Sequence, residues 1–185
     1  MIFAETPRLV LRTLEESDLP RLTELIGDWD VIKWLILPPY PYTLKDAEEF
    51  YEKMLVTYHA GKPEYFVVAN KIDNRFFGAV GLHPDKCCPS KTDQIEIGYW
   101  LGKPYWGQGF VSEAVKVVLA LGFKNLNISQ ITSTTNPANL ASQNVLRKSG
   151  FEFLGVFPRT EKTLRGSPEM TRWKLIRENY ERQKQ

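Results

Sequence analysis

Two glycines one residue apart, set between a strand-like stretch and a helix-like one, offer the clearest chemistry in this chain. Ile95-Glu96-Ile97-Gly98-Tyr99-Trp100-Leu101 is rich in β-branched and aromatic residues, and the Ala/Val/Leu spacing of a helix sets in at Val111. Between them lie Gly107-Gln108-Gly109-Phe110. Without a Cβ at 107 or 109 the backbone can approach a ligand closely, and several N–H groups can converge on one point. The following helix adds its unpaired first-turn donors and about half a positive charge, which suits a phosphate or pyrophosphate. A plain strand-to-helix turn is the alternative that two glycines alone leave open. Other nucleotide signatures fit less well: no Gly-Lys-Ser/Thr triplet is present, and Ser112 stands where a dinucleotide fingerprint needs a third glycine or alanine.

Other chemistries find little support. His59 and His83 lie far apart, and the cysteines are the adjacent pair Cys87 and Cys88, too close for an ordinary disulfide and without the spacing of a zinc site. Neither a metal centre nor a histidine-dependent triad is expected. Net charge is +2 and the sequence pI about 8.4, so the field of the whole molecule favours neither nucleic acid nor an anionic membrane. No apolar run approaches a spanning length, and the cysteines read as free thiols, so the expected location is cytoplasmic. With 185 residues, 43% hydrophobic and 25% charged, a single domain over 1–185 is expected, with the charged segment 177–185 as a solvated tail.

The elements that must position the turn follow from periodicity. Arg8 to Arg12 alternates as a half-buried strand, with Leu9 and Leu11 on one face and the arginines on the other. Asp18-Leu19-Pro20 opens a helix, and Thr43 with Asp46 opens a second that Gly61-Lys62-Pro63 ends. Between these helices Trp29 to Tyr42 is aromatic and punctuated by proline. It is either a connection packed over the core or, through Trp34, Tyr40 and Tyr42, the wall of a substrate cleft. Residues 65–69 and 76–82 pair as a hairpin around Asp73-Asn74, and 85–93 is a polar loop. The helix from Val111 and the strand 128–134 complete a β-α-β unit with the glycine turn at its first corner. Another helix begins at Asn139, and a strand pair over 151–160 and 169–176 closes the chain.

Four stretches together resemble the GNAT family of acetyl-CoA dependent N-acetyltransferases over nearly the whole chain. They are Thr6-Pro-Arg-Leu-Val-Leu-Arg12, Glu96-Ile-Gly-Tyr-Trp-Leu101, Tyr105-Trp-Gly-Gln-Gly-Phe-Val-Ser-Glu-Ala114 and Asn139-Leu-Ala-Ser-Gln-Asn-Val-Leu-Arg-Lys-Ser-Gly-Phe151. The first and last resemble the branch that acetylates the N-terminal amine of ribosomal proteins, a branch that also holds enzymes acting on small amines. The resemblance implies an α/β domain whose mixed, twisted sheet splays at its central strand, here 95–101, with flanking helices and acetyl-CoA wedged into the opening. It assigns Gly107, Gln108, Gly109, Phe110 and Val111 to the pyrophosphate loop. Pro104 stands where the family usually has Gln or Arg, which reshapes the entry without removing main-chain contacts.

Amide formation from a thioester needs a neutral amine, donors for the developing oxyanion and a proton for the leaving thiolate. Glu96, on the central strand in a mostly apolar setting, is the expected base, and Glu113 is a rival whose place in a first helical turn already explains it. A backbone N–H at Tyr99, Trp100 or Leu101, freed by the splay, would meet the oxyanion. Asn139 reads as a helix N-cap, and the resemblance adds that it holds the pantetheine arm. Many family members place a tyrosine where this chain has Leu146, which cannot donate a proton. Ser142 matches the serine of the branch resembled here, as an acid, a relay or a hydrogen-bond partner of the sulfur. The acceptor is expected to be a protein N-terminus or else a small amine such as a polyamine or aminoglycoside, chosen by the 29–42 connection and the loop near 159–168. A catalytically silent acyl-CoA-binding domain is the alternative of another class. Nucleic-acid binding has no basic aromatic motif to support it.

Overall fold

The computed structural model describes residues 1–84, 93–159 and 167–183. Eight strands form one sheet: β1 (Ile2–Glu5), β2 (Leu9–Arg12), β3 (Tyr65–Asn70), β4 (Phe76–Pro84), β5 (Gln94–Leu101), β6 (Gln130–Thr135), β7 (Glu152–Pro158) and β8 (Glu169–Ile176). Their order is β1-β2-β3-β4-β5-β6-β8-β7, antiparallel except for the parallel pair β5 and β6. Among the described residues the helices are α1 (Leu19–Gly27), α2 (Trp29–Ile32), α3 (Leu44–His59), α4 (Phe110–Asn125), α5 (Leu140–Lys148) and α6 (Arg177–Arg182), and none is long and apolar enough to cross a membrane. Helix α4 makes the crossover that a parallel pair requires.

Two cores sandwich the sheet. Leu9, Leu11, Val68, Val80, Ile97 and Ile131 meet Val115 and Val118 of α4 on one face. Val10, Val67, Ala69 and Phe76 meet Leu22, Leu25 and Ile26 of α1 and Ala47 of α3 on the other. Strand β2 therefore differs from its expected half-buried form, because helices cover both faces and every one of its residues is buried. Only Arg8 stays exposed. Arg12 is 3% exposed, and its guanidinium forks onto the Asp18 carboxylate at 2.6 and 2.8 Å while Nε donates to Asn74 Oδ1 at 2.8 Å. Strand β1, not marked by alternation, adds an edge to β2 through Ala4↔Leu11 and Glu5↔Val10.

Helix starts follow their caps: Thr43 and Asp46 form a reciprocal capping box on α3, and Asn139 Oδ1 accepts from Ser142 N at the head of α5. The expected solvated tail is corrected. Residues 177–182 are helical, and Arg177 donates to the carbonyls of Phe123, Leu126 and Ile128 at 2.7, 3.0 and 2.9 Å, occupying orphan acceptors just past and within the end of α4. Tyr180 is buried and stacks on Phe123 with ring centroids 4.7 Å apart. An aromatic three residues after an arginine shares its helical face, and that face outweighs the local charge. Residues 184–185, the Cys87-Cys88 pair and most of the 159–168 loop lie outside the described residues.

The decisive feature for function is where pairing stops. Gln94↔Gln130, Ile95↔Ile131 and Glu96↔Thr132 join β5 to β6, and the ladder ends there. Strand β5 runs on to Leu101 against β4, ending at Gly78↔Leu101. At the vertex Thr132 Oγ1 donates to the Ile95 carbonyl at 3.2 Å, and Ser133 Oγ to the Ile97 carbonyl at 2.9 Å.

Because Arg12 is buried with its counter-ion, removing one partner strands the other. Asp18→Ala should lower unfolding stability by about 3–5 kcal/mol, read as a fall in the urea midpoint. An unchanged midpoint would show that the pair contributes nothing.

Candidate active site

Beyond the vertex, strand alternation decides which backbone groups face the opening. Gly102 N donates to the Phe77 carbonyl at 2.8 Å, on the β4 side. Main-chain groups two residues apart share a side, so Trp100 and Gly98 also face β4, while the N–H groups of Tyr99 and Leu101 face away from it. The Leu101 carbonyl on that side accepts from Trp106 Nε1 at 2.7 Å. Of the expected oxyanion donors, Tyr99 and Leu101 are aimed at the gap and Trp100 is not. The Trp100 ring packs instead against Phe76, 5.9 Å between centroids.

The turn after β5 is built on left-handed glycines. Gly107 has φ 73° and Gly109 φ 79°, and α4 starts at Phe110. A Cβ at Gly107 would meet nothing within 4 Å, so open space adjoins this backbone. Gln108 folds back, its Nε2 donating to the Pro104 carbonyl at 2.8 Å, which leaves the main chain of Gly107, Gly109, Phe110 and Val111 along the cleft. Pro104 itself sits in a 3-10 turn over Lys103–Tyr105 and thus shapes the entry through its carbonyl. Main-chain amides, a helix N-terminus and open space beside them fit a pyrophosphate.

Side chains reach the gap from both faces of β5. Glu96 lies on the α3 face, where Thr134 Oγ1 donates to its Oε1 at 2.7 Å and His83 stands across the ladder. These neighbours make the setting more polar than flanking isoleucines suggest. From the other face the Tyr99 hydroxyl lies 3.0 Å from Ser142 Oγ and donates to the Ser142 carbonyl at 3.1 Å. Burial pushes the Tyr99 phenol above its ordinary 10.0, and the Ser142 hydrogen bond pulls the other way. The phenol stays protonated at neutral pH. Leu146 is fully buried, as an apolar replacement for a tyrosine should be. Glu113 is committed elsewhere: burial raises its pKa, but hydrogen bonds from Thr6 and Arg8 outweigh that and hold it below its ordinary value.

One cleft of about 1140 Å³ links these groups, touching Glu96 to Leu101, the glycine turn, Ser133 to Asn136, Asn139 and Ser142. At its α3 end Trp34, Leu35, Leu37, Tyr42 and Phe50 form an apolar wall with Asp46 and Glu49. Burial pushes Tyr42 up to about 12. Tyr40 lies apart from Trp34 and Tyr42, outside the cleft, 51% exposed and edge-on to Trp29. Two groups are invisible to motif spacing: the Tyr99 hydroxyl and His83. Period-two alternation from Ile97 and Leu101 would have pointed to the first, and hairpin register to the second.

A family model described as an acetyltransferase (GNAT) domain matches residues 8–152. The chain belongs to the GNAT acetyltransferase family. It is an N-acetyltransferase, moving an acetyl group to an amine. The uncharacterized N-acetyltransferase p20 of Bacillus licheniformis is 27% identical over 95% of this chain and 96% of its own length. The same GNAT fold recurs in the ribosomal-protein-S5-alanine acetyltransferase of Vibrio fischeri, with TM-score 0.80 and 20% identity over 97% of this chain and 98% of that one. It recurs in spermidine N-acetyltransferase from Vibrio cholerae in complex with CoA and spermine, with TM-score 0.76 and 20% identity over 95% and 99%.

The α2 side of this GNAT domain is tied to the 3-10 turn over Lys103–Tyr105 by one carboxylate. Asp30 of α2 accepts from Lys103 Nζ and Lys33 Nζ, each at 2.6 Å, and Lys103 first, then Lys33, lowers its pKa from 3.8 to about 2. A depressed carboxylate pKa means the tie is complete above the ordinary value and is lost as pH falls through about 2. An NMR titration of Asp30 should show this value, and Lys103→Ala should move it back toward 3.8. A titration indifferent to Lys103→Ala would remove the link.

Proposed function

We propose that the cleft takes acetyl-CoA with its pyrophosphate on the 107–111 turn, and passes the acetyl group directly to a primary amine entering beside α3. The observation that carries this is the convergence at the β5–β6 gap. Glu96 reaches it from one face, the Tyr99–Ser142 pair from the other, and the Tyr99 and Leu101 N–H groups from the opened edge. Acetyl-CoA supplies an activated acetyl thioester. Glu96, directly or through water, removes a proton from the ammonium so that its nitrogen can bond to the thioester carbon. The backbone donors hold the negative charge that develops on the carbonyl oxygen, and such a donor is worth roughly 10²–10³ in rate.

As the C–S bond breaks, the nitrogen gives up its second proton to solvent and the sulfur leaves as a thiolate whose ordinary pKa is about 8.5, below that of the buried Tyr99 phenol. Full proton transfer from Tyr99 is therefore uphill. The Tyr99–Ser142 pair serves by hydrogen-bonding the departing sulfur, and solvent completes its protonation. Asn139, whose Oδ1 caps α5, keeps its amide for the pantetheine arm.

A protein N-terminal α-amine is the acceptor proposed first, on the branch pattern of residues 6–12 and 139–151 and the fold shared with an S5-alanine acetyltransferase. Trp34 and Tyr42 would contact its first residue. A small polyamine is the second reading, favoured by Asp46 and Glu49 along the α3 end of the cleft. Both readings suit a reducing compartment, the cytoplasm, in keeping with the sequence expectation for the adjacent Cys87 and Cys88. CoA release measured against N-terminal peptides and polyamines in parallel separates the two.

Gly109→Val forces a β-branched residue into φ 79° and should abolish coenzyme A binding by calorimetry while the domain stays folded. Wild-type affinity in that variant would move the phosphate site elsewhere. Glu96→Gln should cut turnover by about 10²–10⁴ with coenzyme affinity kept. Tyr99→Phe should cost roughly ten- to hundredfold as one hydrogen bond to a charged atom is lost, and Ser142→Ala less, since the phenol remains. Full turnover by Glu96→Gln with the true acceptor would refute the base.

A further inference from the structure

Arg8 has no place in the chemistry above, yet it makes the densest set of polar contacts at the glycine turn. Its Nη1 donates to the Gln108 carbonyl at 2.9 Å. Nε and Nη2 both reach Glu113 Oε2, at 2.8 and 2.6 Å, and the guanidinium lies 4.5 Å over the Phe110 ring. None of Arg8, Gln108 and Glu113 lines the cleft, whereas Gly107, Gly109, Phe110, Val111 and Ser112 do. Arg8 therefore stands behind the turn, a hundred residues away in sequence, and grips it from the side opposite any ligand.

Two physical effects follow. Across a trans peptide the carbonyl oxygen and the next N–H point in opposite directions. Holding the Gln108 oxygen on Arg8 thus turns the Gly109 N–H away from Arg8 and keeps a carbonyl dipole from facing an anion. The second effect is charge. Glu113 lies in the first turn of α4, where a bare carboxylate would compete with a phosphate for the same helix terminus and repel it. Paired with Arg8, its charge is cancelled there.

We infer that Arg8 is a positioning residue for the coenzyme pyrophosphate, acting through the Gln108–Gly109 peptide and through neutralisation of Glu113. This rests on the assignment of the 107–111 turn as the phosphate site. It gives the Thr6-to-Arg12 segment two separate tasks: Arg12 is buried in an ion pair of the core, while Arg8 serves the site.

The test compares wild type with Arg8→Ala, Arg8→Lys, Glu113→Gln and the double variant Arg8→Ala/Glu113→Gln. Thermal melting, coenzyme A affinity by calorimetry, and turnover of acetyl-CoA and of S-acetylpantetheine, which lacks the pyrophosphate, are measured for each. Arg8→Ala should weaken coenzyme A binding roughly ten- to hundredfold, the loss of a charge-assisted contact. The KM for acetyl-CoA should rise more than kcat falls, and S-acetylpantetheine turnover should suffer far less. Arg8→Lys should recover part of the affinity, since an ammonium neutralises Glu113 but cannot also hold the carbonyl in a fixed fork. The double variant should bind more tightly than Arg8→Ala alone, because the bare carboxylate is gone.

Three results would overturn the inference. Arg8→Ala binding like wild type is one. Equal losses with both thioesters and a lowered melting temperature would make Arg8 a staple of the fold only. A double variant no better than Arg8→Ala would mean that Glu113 neutralisation plays no part. If Arg8→Ala misfolds, Arg8→Lys and Glu113→Gln still decide: neither shifting coenzyme A affinity would end the proposal. Gly109→Val separates this failure from that of the site. Loss of coenzyme A there with none in the Arg8 variants removes Arg8 alone, and no loss in any removes the phosphate assignment itself.

Discussion

One break in hydrogen bonding organises this molecule. A parallel pair of central strands would normally bond along its whole length, yet β5 and β6 part company after Glu96↔Thr132. The cost is a set of main-chain donors and acceptors without ladder partners on β5, which a buried sheet would not tolerate unpaired. The Ser133 hydroxyl and the Trp106 indole absorb two of the carbonyls, at Ile97 and Leu101. The N–H groups of Tyr99 and Leu101 face the gap between the parted strands.

The break also lets groups on opposite faces of one strand border one cleft. Successive side chains of a strand point to opposite sides. In an unbroken sheet Glu96 and Tyr99 would serve separate compartments divided by backbone. Here the missing pairing opens a window, and one cleft touches both Glu96 and Tyr99. Both faces of the sheet are packed: Val115 and Val118 of α4 share a core with Ile97 and Ile131 on one, and α1 and α3 pack on the other.

Much of this was legible from residue order. The glycine turn, the hairpin at 65–82 and the helix starts at Thr43 and Asn139 rest on local rules: conformational freedom without a Cβ, period-two alternation, a side-chain oxygen at a helix start. The splay of the central strand came only from the family resemblance. What stayed hidden depends on what covers a residue from outside its own segment. Arg12 alternates like a surface arginine, and only the second helical layer turns it into a buried ion pair. Tyr180 sits in a charged run, and only the end of α4 gives its ring a partner. Tyr40 shares its composition with Tyr42, yet its ring turns outward to Trp29 and away from the cleft. The Tyr99 hydroxyl was hidden for the opposite reason, since the family pattern draws attention to helix α5 and the phenol arrives from β5.

The strand order carries a consequence for synthesis of the chain. Strand β8 pairs with β6 and separates it from β7, so the edge of β6 that bears Thr134 and Thr135 stays open until residues 169–176 have been made. Helix α4 likewise waits for Arg177 to close its far end. Chains emerge N-terminus first, at about 5–20 residues per second. The glycine turn and Glu96 thus leave the ribosome well before the last strand can lock the sheet around them. The final tenth of the chain is what commits the nascent domain to its working shape, so a transcript truncated just before β8 encodes every residue assigned to the chemistry and still no finished sheet to hold them.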